Sequence, residues 1–102
     1  MEKRIGVIAI LVTDTASVAG INDALHVYGR LVLGRQGIPL RDKGVNVISL
    51  IVEGDTDELG ALSGKLGRFP GVKVKSVLTP YQEGSDGRTT RDRDDDSTGS
   101  GG

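Results

Sequence analysis

Ile5-Gly6-Val7-Ile8-Ala9-Ile10-Leu11-Val12 and Val45-Asn46-Val47-Ile48-Ser49-Leu50-Ile51-Val52-Glu53 are the two stretches that decide the fold. Both are rich in β-branched residues, which reads as two strands. Side chains alternate between the two faces of a strand. In the second stretch Val45, Val47 and Ile51 fall on one face, and Ile48, Leu50 and Val52 on the other. The first stretch is also apolar on both faces. Strands of that kind belong in the centre of a sheet, where neither face is fully given to water.

The segments around them supply the remaining elements. Thr13, Asp14, Thr15 and Ser17 offer side-chain oxygens that can accept from the first unpaired amides of a helix. Val18, Ile21, Leu25 and Tyr28 then recur at helical spacing up to Gly29, leaving Asn22, Asp23 and His26 on the outer face. Arg30 to Leu40 starts as a strand, and its two glycines and one proline make it irregular and edge-like. Arg41 to Gly44 is a polar turn. Asp55, Thr56 or Asp57 can cap a second helix with the stripe Leu59, Leu62 and Leu66, closed by Phe69-Pro70-Gly71. Val72, Val74, Ser76 and Leu78 alternate with Lys73, Lys75 and Val77, the pattern of a half-exposed strand whose lysines discourage edge pairing.

The order β-α-β-β-α-β predicts an α+β, ferredoxin-like domain: an antiparallel four-stranded sheet in order 4-1-3-2 with both helices on one face. Two helices on one side leave the centre of the other side apolar and uncovered. A second copy is the simplest cover, so the expectation is a homo-oligomer, a dimer or a tetramer.

The chain of 102 residues therefore divides into one domain over residues 1–80 and a tail over residues 81–102. From Gln82 onward the tail has no aliphatic or aromatic residue, so it cannot bury enough surface to offset ordering entropy and is expected to be disordered. Residues 1–80 carry ten Lys/Arg against eight Asp/Glu, and the tail three against six, which makes it acidic. Neither part has the basic surplus of a phosphate-backbone binder, nor is there a ribbon or helix-turn-helix with a basic face, so direct DNA binding is not expected. The longest apolar run is too short for a bilayer and the N-terminus lacks a secretory pattern, so a cytoplasmic protein without membrane contact is expected.

The absence of cysteine excludes disulfides, thiolate metal sites and cysteine nucleophiles. His26 is the single histidine, and one histidine with carboxylates is a poor set for a transition metal, so no metal site is expected within one subunit. No nucleophile elbow, no histidine–serine pair and no buried carboxylate pair can be placed, so no catalytic residue is assigned and an enzyme is not expected.

Several segments resemble one family. Asn22 to Gly29, Gly34 to Pro39, Lys43 to Ser49, Ala61 to Gly67 and Pro70 to Lys75 match, in order and at family-like spacing from about Ile5 to Thr79, the iron-only hydrogenase system regulator family, which is similar to ACT domains and to the C-terminal domain of the nickel-responsive repressor. The resemblance implies a ferredoxin-like fold, an oligomer and a regulatory role linked to hydrogenase assembly. It supplies no ligand or cofactor, whose identity stays unknown. Leu40 stands where family members often carry an aromatic, and the polar tail extends past the usual end.

Three groups are candidate ligand or interface residues. Asp14, Thr15 and Ser17 join the first strand to the first helix, where amides and hydroxyls can hold an anion or simply cap the helix. His26, Tyr28 and Arg35 can line a pocket between subunits or sit on the surface; only two copies of His26 across a symmetry axis would make a metal site. Gly60 and Gly64 lie on the second helix, where each glycine costs about 1 kcal/mol relative to alanine. Close approach of another backbone or a ligand along the helix would account for that. The resulting function is a ligand-sensing regulatory domain acting as a homo-oligomer with a small-molecule ligand; the alternative is a protein-interaction module without one.

Overall fold

In the computed structural model, which describes residues 3–81, β1 (Lys3–Val12) and β3 (Val45–Gly54) lie side by side in the middle of one antiparallel sheet. β2 (Val32–Leu40) borders β3, and β4 (Val72–Tyr81) borders β1. The order β2-β3-β1-β4 is the expected 4-1-3-2 counted from the other edge. α1 (Val18–Val27) and α2 (Thr56–Gly67) pack on one face.

Register explains the core. Ile8 lies opposite Leu50 and Ile10 opposite Ile48, so the even-numbered residues of both central strands point at the helices. There they meet Ile21, Ala24 and Leu25 of α1 and Leu59, Leu62 and Leu66 of α2, all buried. Each buried isoleucine and leucine contributes roughly 1.5–3 kcal/mol by leaving water, and Ala24 less. The helical stripes and the two-faced strands are therefore the ones read from the sequence.

The boundaries differ in ways that have physical causes. Asp14 Oδ1 accepts from Ala16 N at 2.9 Å and so caps a separate 3-10 turn, Thr15–Ser17, and α1 starts only at Val18. After α1 a second short turn, Gly29–Leu31, drops Leu31 into the core, so β2 begins at Val32 rather than Arg30. β2 is irregular as expected, with a register shift between Val32 and Gly34. Arg41–Lys43 winds one further turn, and β4 runs to Tyr81, one residue past the expected domain boundary. The tail expected to be disordered, from residue 82 on, lies outside the described residues.

Of the three residues that could start α2, Asp55 does so. Its Oδ1 accepts from Glu58 N at 2.7 Å, and Glu58 Oε1 accepts from Asp55 N at 3.2 Å, a reciprocal capping box. Glu58 Oε2 also lies 2.8 Å from Arg30 Nη1. The hydrogen bond from Arg30 first, and the one from the Asp55 backbone second, hold the Glu58 carboxyl below its ordinary pKa.

Glycines mark where the layers close up. A Cβ on Gly6 would overlap the Val77 carbonyl oxygen and stand 2.8 Å from Leu78 Cα, so β1 and β4 fit together only without a side chain there. Gly20 plays a similar part between α1 and the turn after α2, since its Cβ would fall 2.5 Å from the Phe69 ring. Gly60 and Gly64 do not: both are exposed, and a Cβ at either would meet nothing within 4 Å. The close backbone approach considered for them is thus not made within the chain.

Gly6→Ala is accordingly expected to destabilise the fold by about 1–3 kcal/mol through overpacking, whereas Gly60→Ala is expected to stabilise it by about 0.5–1 kcal/mol. Urea midpoints moving in the same direction for both would contradict this assignment. A second expectation concerns acid. Because the folded-state pKa of Glu58 is depressed, its ionised form adds stability above the unfolded pKa, and that addition is lost as pH falls through the folded value. The urea midpoints of the native chain and of Glu58→Gln should differ near about pH 7 and draw together as pH falls through the depressed folded-state pKa; a gap that stays constant down through the acid range would exclude the carboxylate charge as its cause.

Candidate functional site

The β1–α1 loop spends its polar groups on the chain itself. Ser17, only 4% exposed, donates its Oγ to the Pro70 carbonyl at 2.7 Å. Thr13 donates to the Gly71 carbonyl twice, from N at 2.8 Å and from Oγ1 at 3.1 Å. Gly71 is left-handed at φ 70 and sits so close to Asp14 that a Cβ would stand 2.7 Å from the Asp14 Cβ. Of the two readings of Asp14 and Ser17, the structural one is the one whose hydrogen bonds are present: Asp14 caps and Ser17 ties the loop to the α2–β4 turn. Thr15 is exposed beside them.

A second region lies between α1 and the edge strand β2. Arg35 Nη2 donates to Asn22 Oδ1 at 3.3 Å, and these two residues form a wall shared by two hollows. One hollow has His26, Gly29, Val32 and Gly34 around it. The other, about 230 Å³, is lined by Val18, Ile21, Gly37, Pro39, Asn46 and Ile48. The structure thus brings His26 and Arg35 to one groove but not Tyr28, which is half-buried against the core. Gly60 and Gly64 border neither hollow.

Sequence reasoning passed over Asn22, Gly37 and Asn46. Gly37 was legible only as a mark of irregularity in an edge strand, yet it lines the apolar hollow at a point where a Cβ would enter open space. The available signal was a glycine beside a proline at positions that the strand register turns toward the helices: Gly37 lies opposite Ile48 and Pro39 opposite Asn46. Among the described residues no three His, Asp or Glu side chains gather as a metal-binding set. No helix among them is long and apolar enough to cross a membrane.

The third region is the sheet face away from the helices. Register places Val77, Val7 and Ile51 in one row across β4, β1 and β3. Two residues further along, Lys75, Ala9, Ser49 and Gln36 form a small and polar row, and beyond it Lys73, Leu11, Val47 and Ile38 form another apolar one. Val7, Leu11 and Ile51 are each about two-fifths exposed although they occupy central strands. Val77 is 70% exposed. Two largely apolar rows thus flank a row that is small at Ala9 and Ser49 in the central strands, with lysines on the β4 side.

Comparison with known proteins fits this architecture. A family model described as TM1266-like, iron-only hydrogenase system regulator, matches residues 4–76. The solved structure of the uncharacterized protein TM1266 from Thermotoga maritima is 38% identical, with a TM-score of 0.72 over 76% of this chain and 98% of that one. The ACT domain of GTP pyrophosphokinase from Chlorobium tepidum shares the fold at 19% identity, with a TM-score of 0.61 over 74% of this chain and 86% of that one. An unknown protein from Galdieria sulphuraria does so at 16% identity, with a TM-score of 0.53 over 81% of this chain and 49% of that one. No curated protein matches the sequence. The family match across most of the domain, the identity to TM1266 and the shared βαββαβ sheet together place this chain in the TM1266-like family of iron-only hydrogenase system regulators.

Proposed function

We propose that this domain is a cytoplasmic regulator in the iron-only hydrogenase system that works as a homo-oligomer, pairing its open sheet face with that of a second copy and responding to a small molecule. The observation that carries the reading is the uncovered pair of apolar rows on the central strands. Val7, Leu11 and Ile51 stay partly in water although their strands are otherwise core strands. Burial of such surface is the main driving force of association.

The dimensions support a second copy as the cover. Four strands about 4.8 Å apart and some nine residues long at about 3.4 Å each present on the order of 500 Å² of face, or about 1,000 Å² over two copies, the lower bound of a specific interface. Sheet faces of equal twist pack naturally on each other. A ligand that binds one assembly state better than another shifts the equilibrium between them by its differential affinity, which is all a sensor of this size needs. The near balance of charge over residues 1–80 favours control through protein contacts over direct contact with DNA.

Light scattering tests the reading. The native chain is expected to have the mass of two or more copies, and Ile51→Glu, which puts a charge in the middle of the open face, is expected to fall to the mass of one copy while keeping its thermal midpoint within a few degrees. A native chain that stays monomeric at every concentration would overturn the homo-oligomer, and would leave the open face to a different protein.

A further inference from the structure

We propose that the cleft between α1 and the edge strand β2 binds a small apolar carboxylate, with its carboxylate on the Arg35 guanidinium and its hydrocarbon part against Val18, Ile21 and Ile48. The proposal rests on the reading of the domain as a sensor and names what it senses.

The hydrocarbon half of the argument comes from Gly37. The residues of β2 that register turns toward the helix layer are Val32, Arg35, Gly37 and Pro39, opposite Val52, Leu50, Ile48 and Asn46. Any side chain larger than hydrogen at position 37 would project into the gap beneath α1. A Cβ there would meet only Ile48 Cγ1, at 4.0 Å, so the space is open and not needed by the backbone. The cleft holds about 230 Å³. An apolar cavity of about 150 Å³ accepts a benzene-sized molecule, so a branched chain of five or six carbons is of the right size.

The charged half comes from Arg35. A guanidinium stays protonated and carries five N–H donors. In this structure one of its nitrogens donates, over a long 3.3 Å, to the neutral Asn22 amide, and among the described residues no carboxylate pairs with it. Arg30 shows the contrast, since it is held by Glu58 at 2.8 Å. The half-buried Asn46 adds a side-chain amide at the same cleft that has no hydrogen-bond partner among the described residues. A cation with spare donors at the mouth of an apolar space, with neutral amides beside it, selects an anion with a hydrocarbon body. A carboxylate matches the guanidinium fork in two parallel hydrogen bonds. A bare multivalent anion would leave the apolar lining unused.

Titration of the full chain with 4-methylpentanoate, followed by calorimetry and by amide NMR shifts, tests the site. The expected result is saturable binding with a Kd on the order of 1 mM or tighter, in line with ligand efficiency for eight heavy atoms, with shifts centred on Arg35, Gly37 and Ile48. The uncharged isostere 4-methylpentanamide and the charge-only probe acetate should each bind at least about tenfold more weakly, as should the carboxylate to Arg35→Gln. Gly37→Leu should abolish binding without lowering the thermal midpoint, because it fills the cleft and removes a strand glycine. No saturation, equal binding of the amide, or unchanged affinity in Arg35→Gln would overturn the proposal. Light scattering with and without 4-methylpentanoate separates this from the parent reading. Binding without a change of mass supports the site and removes control by assembly. An oligomer that binds none of the probes removes the site and leaves the assembly.

Discussion

The whole structure depends on one constraint: β1 and β3 are apolar on both faces, and a domain this small has helices enough for only one of them. Pairing Ile8 with Leu50 and Ile10 with Ile48 commits the even-numbered side chains to the helix layer. A slip of one residue would exchange the faces of every side chain in the strand. It would put Ala9 and Ser49 where Ile8, Ile10 and Leu50 now sit at zero exposure, and the core would lose volume that α1 and α2 could not replace. The same commitment leaves Val7, Leu11 and Ile51 turned away from both helices. The core of the domain and the apolar character of its other face are therefore set by a single register.

Where the helices can sit is fixed by loops rather than by the sheet. Ser17 and Thr13 bind the Pro70–Gly71 turn, and Phe69 closes on the bare backbone of Gly20, so the start of α1 is drawn toward the end of α2. At the other end of the sheet the Asp55–Glu58 capping box and Arg30 join the start of α2 to the turn after α1. Both ties pull α1 toward its neighbour helix. α2 packs mainly against β4, at the far edge of the sheet from β2, and the helix side of β2 stays partly open near Gly37 and Pro39. The groove is a consequence of how the helices are anchored.

Most of this fold was legible before any coordinates, and the reasons are physical. Period-two alternation in Val45–Glu53 and the stripe Leu59, Leu62 and Leu66 report burial directly, because one face of each must leave water. What the sequence did not disclose were features that depend on two distant segments at once. Ser17 reads as a helix cap by its neighbours, and only the arrival of Pro70, 53 residues later, makes it a tie across the domain. Leu31 reads as the second residue of a strand, and only the geometry after α1 sends it into the core. Gly37 in its strand and Gly60 on its helix both read as positions that lack a side chain for an undisclosed reason. One borders a cleft and the other faces solvent, and which is which depends on what packs opposite each of them. The candidate site was legible at Arg35 and His26, which share a groove, and not at Gly37 or Asn46, whose positions come from the register of β2 on β3, nor at Asn22, which meets Arg35 only once α1 packs beside β2.

Arg30, in the turn before β2, and Arg35, within β2, show how the same side chain can be placed differently by the fold. Arg30 lies over a carboxylate that is itself fixed by a helix cap, so its charge is spent locally and helps hold α2 to the turn before β2. Arg35 lies five residues on, beyond the irregularity that lets β2 change its pitch, and faces the helix layer with an amide for company. Had that irregularity been absent, strict alternation from Val32 would have turned position 35 to the open face, among Ile51 and Ser49, where a guanidinium would interrupt the apolar rows. The register shift between Val32 and Gly34 therefore accomplishes two things together. It removes a charge from the face that a second copy would cover, and it brings that charge to an open edge of the helix layer.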